Sequence, residues 1–131
     1  MNEIVDLLMS HTSVRKYEEK SLTKEEVKTI INCAQMAPSS GNFQTYTIIE
    51  IQDPGKREVL SEISGQQDWV IKAPLVLLFC GDLNRNKKYF EGMTDKEVFS
   101  NTESFIVATV DSSLAAQKAL IAAQSMGIWG V

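Results

Sequence analysis

The stretch at residues 102–127 reads TESFIVATVDSSLAAQKALIAAQSMG, and it is the longest regular element in the chain. Its apolar residues Phe105, Ile106, Val107, Val110, Leu114, Ala119, Leu120, Ala123 and Met126 wrap most of a helical circumference. A surface helix carries one apolar stripe, so a helix apolar on nearly all sides is expected to be buried, in a core or between subunits. Ala115, Ala116, Ala122 and Ala123 permit close approach of another helix, because no bulky side chain holds the two backbones apart. Gly127 is the expected terminator, since glycine takes the left-handed conformation that closes a helix at low steric cost.

The segments on either side complete the pattern. Downstream, GIWGV at 127–131 places an apolar tripeptide directly after the terminator, as the first residues of a further strand would be placed. The chain is therefore expected to be the front part of a longer protein, a single domain over 1–131 that lacks its C-terminal portion. Upstream, 82–101 is polar and mixed, with weak helical signals, and reads as a variable excursion. APLVLLFCG at 73–81 is a continuous apolar run too short for a typical helix, which predicts a strand buried on both faces. TYTIIEI at 45–51 predicts a strand ending at the turn Asp53-Pro54-Gly55. Lys56 to Ser64 predicts a short helix with Val59, Leu60 and Ile63 inward.

LTKEEVKTIINCAQMA opens with Thr23 and has Glu26 three residues on, a capping box. Val27, Ile30, Ile31 and Ala34 follow on one face, so a helix runs to about Met36 and stops before Pro38. Residues 2–9, with Ile4, Val5, Leu8 and Met9, predict a short amphipathic helix. The order helix, helix, strand, helix, strand, long helix predicts an α/β (α+β) sandwich, a mixed central sheet flanked by helices.

Composition limits the partners. A chain of 131 residues holds one domain with a real core, and a hydrophobic fraction of 44% with 23% charged residues is ordinary for a globular protein. The net charge of −4 argues against nucleic acid or an anionic membrane as partner, so any phosphate should be gripped locally. The N-terminus carries Glu3 and Asp6 and lacks the basic region of a signal peptide, and no uninterrupted apolar run approaches the roughly 18 residues of a membrane span. A cytoplasmic protein is expected, with Cys33 and Cys80 as buried, reduced thiols.

Two stretches carry chemistry. In SHTSVRKY at 10–17, an extended backbone puts His11, Ser13 and Arg15 on one face, with Thr12 and Val14 on the other. Arg15 offers a fixed fork of donors suited to phosphate oxygens, and Ser13 adds a hydroxyl. The plainer reading is a surface arginine in a salt bridge and a histidine that caps the first helix. In APSSGNFQ at 37–44, short side chains let a flat ligand approach the backbone, although an ordinary helix-to-strand turn has the same composition. Gln44 and Gln67 are neutral amides able to donate or accept at a heteroaromatic edge, or solvated glutamines. No GxGxxG, Walker or GxSxG motif is present, and one histidine excludes metal sites built from several.

These segments, in this order, resemble the nitroreductase family of FMN-dependent oxidoreductases, and most closely its NADPH-dependent nitroreductase and flavin-reductase branch. HTSVRKY matches a stretch where the family commonly has a histidine, a basic residue, serine and arginine. APSSGNFQTYTIIEI resembles its flavin-binding loop and following strand. SGQQDWVIKAPLVLLFCGDLNR looks like its next helix end and strand, and VDSSLAAQKALIAAQSMGIWGV is similar to its long central helix.

The resemblance implies that His11, Ser13 and Arg15 hold the FMN phosphate and ribityl region. It implies that Ser39, Ser40, Asn42 and Gln44 line the flavin and that Gln67 contacts the isoalloxazine ring. It also implies a homodimer with FMN at the subunit interface and the long helix buried there. Hydride would pass from NADPH or NADH through FMN to a nitroarene, quinone or free flavin by ping-pong kinetics, with no catalytic side chain. A flavin-binding module without turnover, or a dimerising fragment with an incomplete site, is the alternative. Three departures stand out: Thr12 where the branch often has a basic residue, Trp129 where a glycine is usual, and no basic segment after Val131.

Overall fold

The computed structural model describes residues 2–93 and 99–131. Its elements are α1 (Glu3–Met9), α2 (Lys24–Gln35), β1 (Tyr46–Glu50), α3 (Pro54–Ile63), α4 (Asp68–Lys72), β2 (Leu77–Gly81), α5 (Asn84–Tyr89) and α6 (Thr102–Ser125). A 3-10 turn covers Ser40–Asn42.

The local signals operate as expected. The Thr23 hydroxyl accepts from the Glu26 amide at 3.2 Å, and the Glu26 carboxylate accepts from the Thr23 amide at 2.6 Å, closing the capping box of α2. The Thr23 amide and the Thr23 hydroxyl, both donating to the Glu26 carboxylate, hold that carboxyl below the ordinary glutamate range. At the far end, Gly127 at φ 76° closes α6: its amide reaches the Gln124 carbonyl, and the Ile128 amide reaches Ala123, both at 3.0 Å. Asp53, Pro54 and Gly55 form the cap and first turn of α3 rather than a free-standing turn, because the Asp53 carboxylate accepts from the Lys56 amide at 2.8 Å.

α6 is the axis on which the rest is arranged. It packs most extensively on α2, next on β2 and β1, and lightly on α1. Its inner face is small and polar: Ala108, Asp111, Ser112, Ala115, Ala119, Ala122 and Gln124 are buried. Ala115 of α6 and Ala34 of α2 are each 0% exposed, which is how the two backbones come close. Ile30, Ala34 and Ala119 centre the core, with Leu22, Ile48, Leu77, Phe79 and Ile128 packed around them. Gly81 ends β2 against α6, where a Cβ would lie 3.2 Å from the Ala108 Cβ.

Burial corrects the sequence reading in three places. Phe105, Ile106, Val110 and Leu114 of α6 are exposed, because α2 and the strands cover only the small-residue side. In α3, Leu60 is half-buried while Val59 and Ile63 are 56% and 73% exposed; the inward residues beside Leu60 are Arg57 and Ser61. The strand in 73–81 begins at Leu77 and is not enclosed on both faces, since Leu78 is exposed opposite Ile49. β1 and β2 pair antiparallel, Tyr46 opposite Gly81 and Glu50 opposite Leu77, so among the described residues the sheet is a two-stranded antiparallel ladder without parallel pairing. The helix-and-sheet sandwich stands, with a smaller sheet than expected.

Arg57 joins the ends of this region. Its guanidinium donates to the carbonyls of Ile51 at 2.8 Å, of Ala73, and of Ile71 at 3.5 Å. Part of the 82–101 excursion is α5; residues 94–98 of that expectation lie outside the described residues. By length and composition alone α6 meets the test for a membrane span. With Asp111, Ser112 and Gln124 turned into the fold, it reads instead as a core helix. Cys33 and Cys80 are free and only half-buried.

Candidate functional site

Residues 11–18 adopt neither helix nor strand, and they run beside the last residues of the chain. The Val14 amide donates to the Gly130 carbonyl at 3.0 Å. His11 does not cap α1. That helix is closed by Ser10, whose amide reaches Asp6 and Leu7 and whose hydroxyl donates to the Leu7 carbonyl at 2.8 Å. The His11 ring instead meets the buried Gln124 amide, Nε2 to Nδ1 at 2.8 Å.

Arg15 is exposed and makes no salt bridge among the described residues. Its guanidinium carbon sits 5.6 Å from the centre of the Trp69 ring, a cation–π contact with α4. Gln67 is the residue that enters α4, two positions before that tryptophan. Ser13 is exposed. Burial raises the Tyr17 phenol above its ordinary value, and the charge of Arg15 offsets part of the rise.

The second stretch is fixed more tightly. Between the end of α2 and β1, Gly41, Asn42 and Gln44 all have left-handed backbones, with φ of 54°, 57° and 51°. The buried carboxylate of Asp111 receives the Ser40 amide at 3.1 Å on Oδ1, and the Thr45 amide at 3.1 Å and hydroxyl at 2.8 Å on Oδ2. The Ser39 hydroxyl accepts from the Gln44 amide at 3.2 Å. From α5, Arg85 donates to the Gln44 carbonyl and Asn86 to the Phe43 carbonyl, the latter at 2.9 Å. Asn42 and Gln44 are exposed and Ser39 is half-buried, so the turn is rigid but open to solvent. Asp82 braces its base: its amide donates to the Thr45 carbonyl at 2.9 Å and its carboxylate takes the Thr47 hydroxyl at 2.5 Å. The Thr47 bond, first, and the Asn84 amide hold the Asp82 carboxyl below the usual aspartate range.

The expected residues thus form two groups, not one. His11 is anchored on Gln124, with Ser13 and Arg15 on the same segment and Gln67 two residues before the Trp69 that Arg15 meets; Ser39, Ser40, Asn42 and Gln44 belong to the turn held by Asp111. The two anchors are thirteen residues apart on α6, about 20 Å along its axis. An apolar cleft of about 460 Å³ lies elsewhere, lined by Tyr17, Ile30, Phe79, Leu120, Ile128 and Trp129. None of the expected cofactor residues lines it, and Trp129 packs there with the core side chains. Asp111, Gln124, Trp69 and Arg85 escaped the sequence reading. The one available signal was an aspartate set in an apolar helix.

No cluster of histidine, cysteine and acidic side chains suited to a metal ion exists among the described residues. The model of the nitroreductase family matches residues 8–130. An FMN reductase [NAD(P)H] of Bacillus subtilis is 39% identical over 130 residues, covering 98% of this chain and 52% of the relative. An NADPH-flavin oxidoreductase of Vibrio harveyi is 34% identical, covering 100% and 53%. The solved structure of the NfrA1 nitroreductase from Bacillus subtilis superposes with a TM-score of 0.91 at 38% identity, over 95% of this chain and 51% of that one. The chain therefore spans about half the length of the relatives it matches. In sequence and in fold, it belongs to the nitroreductase family.

Proposed function

We propose that this chain belongs to an FMN-dependent oxidoreductase that carries electrons from NADPH or NADH to a small acceptor. That acceptor is a nitroaromatic compound, a quinone or free flavin, and the protein works as a cytoplasmic homodimer. The observation that carries the reading is Arg15. In a chain of net charge −4, an exposed guanidinium held against Trp69 with no carboxylate partner among the described residues is suited to a dianionic phosphate. Ser13 adds a hydroxyl beside it, and the His11 imidazole a further polar group on the same segment. The donor set fits a phosphorylated, flat heterocycle: a cationic fork for the tail, and an open, rigid turn with short side chains for the ring.

Bound FMN would supply the hydride acceptor and donor chemistry, which no side chain here provides. The chain's own residues would bind, orient and polarise. Ser39, Ser40, Asn42 and Gln44 would line one edge of the ring, and Gln67 would offer an amide to the other. Such donors favour the reduced, anionic ring electrostatically. The separation of the two groups along α6 supports a site shared by two protomers, one giving the phosphate grip and the other the ring-lining turn. Phe105, Ile106, Val110 and Leu114 on α6, with Ile4 and Leu8 on α1, supply exposed apolar surface for that pairing.

The test is a spectrum and an assay. Protein saturated with FMN and freed of excess should be yellow, sediment as a dimer and oxidise NADPH with a quinone or nitroarene, giving parallel double-reciprocal lines. Yellow protein that leaves NADPH untouched is a flavin carrier; colourless protein, with no thermal stabilisation by FMN, removes the reading.

A further inference from the structure

Asp111 is buried in the middle of α6 at 1% exposure. A carboxylate removed from water needs several donors, and here they all come from one place, the turn at 40–45. Each oxygen holds a different end of it: Oδ1 takes the Ser40 amide, and Oδ2 takes the amide and hydroxyl of Thr45. The four residues between include the left-handed Gly41, Asn42 and Gln44. A left-handed backbone costs a non-glycine residue on the order of 1 kcal/mol, so a turn holding two of them needs its ends fastened. In that conformation Asn42 and Gln44 are exposed to solvent.

We infer that Asp111 is a positioning residue for flavin recognition: its carboxylate staples both ends of the 40–45 turn and presets the surface that receives the isoalloxazine ring. The inference rests on the flavin-binding reading of that turn. Asp111 touches no ligand itself. It acts through Ser40 and Thr45, and because the turn serves the ring rather than the phosphate, its influence falls equally on flavins with and without a phosphate tail.

The intact protein is titrated with FMN and with riboflavin, following flavin fluorescence, and melted without ligand. Asp111→Asn keeps the volume but turns an NH₂ group towards an amide donor. It should weaken both ligands by about tenfold and by the same factor, the scale of one bond to a charged acceptor. Thr45→Val removes only the hydroxyl and should weaken both by about threefold, with Thr45→Ser restoring wild-type affinity. A purely architectural aspartate would lower the melting temperature and leave both affinities unchanged, which overturns the inference. A loss confined to FMN overturns it as well. If Asp111→Asn does not fold, the Thr45 pair decides: equal affinity in Thr45→Val and wild type overturns it. Wild-type protein that binds neither flavin removes the flavin reading, and the inference with it.

Discussion

The turn at 39–45 and the segment at 11–17 are the two halves of the proposed cofactor site, and they are built in opposite ways. The turn is fastened from two sides. Asp111 pulls on its inner ends, while Arg85 and Asn86 hold its outer carbonyls. The segment is tied by one backbone bond to Gly130, one side-chain bond to Gln124 and one ring contact at Trp69. The difference teaches where shape is needed beforehand. A rigid aromatic ring can only meet a surface already formed, because ordering that surface on binding would oppose affinity. A phosphate is nearly isotropic, and a charged fork on a loosely held segment can close around it.

The largest effect expected is one that abolishes the contrast by disturbing the shared scaffold. Ala115 is fully buried on the inner face of α6, so Ala115→Leu should cost roughly 2–3 kcal/mol through overpacking. That lowers the melting temperature by on the order of 10 °C in calorimetry and damages both halves together. Next comes a change that sharpens the contrast. Arg15→Ala should weaken FMN by about tenfold to a hundredfold, leave riboflavin within about twofold and leave the melting curve nearly in place. Equal losses for the two flavins would place Arg15 on the ring side instead.

The smallest effect concerns acid. The Asp82 carboxyl titrates below its ordinary value of about 4 because it is hydrogen-bonded in the folded chain. A depressed folded value means the contribution is complete above the unfolded pKa and is lost as pH falls through the folded one. Urea melts at pH 6 and near pH 3 should therefore show a smaller acid loss for Asp82→Asn than for wild type. The turn at 39–45, whose base Asp82 braces, should loosen in acid before the 11–17 segment does, as amide exchange of Thr45 and Val14 would show.

Much of this arrangement was legible in residues that act locally. Thr23 and Glu26 announce α2, and Gly127 announces the end of α6, because caps depend on neighbours three or four positions away. The face of α6 was not legible in the same way. Its periodicity says that nearly every side is apolar, but not that Ala108, Ala115 and Ala119 turn inward while Phe105 and Ile106 stay out. That choice depends on how close α2 must come. The site divides along the same line. His11, Ser13, Arg15 and the residues of the 39–44 turn were visible as chemistry, whereas Asp111 and Gln124 were hidden, because their partners lie 66 to 113 positions away. Short helices such as α4 and α5 gave too few turns for a period to show.

Arg57 has one more consequence. By fastening the carbonyls of Ile51 and Ala73, it closes the α3–α4 excursion with a side chain, beside the backbone bond from the Ile51 amide to the Val76 carbonyl. In a chain whose cysteines are unpaired, that guanidinium fills the role of a crosslink. It is a reversible buckle, insensitive to reductant and open to competition from guanidinium salts, so the excursion should be released by such a denaturant earlier than by urea of equal strength.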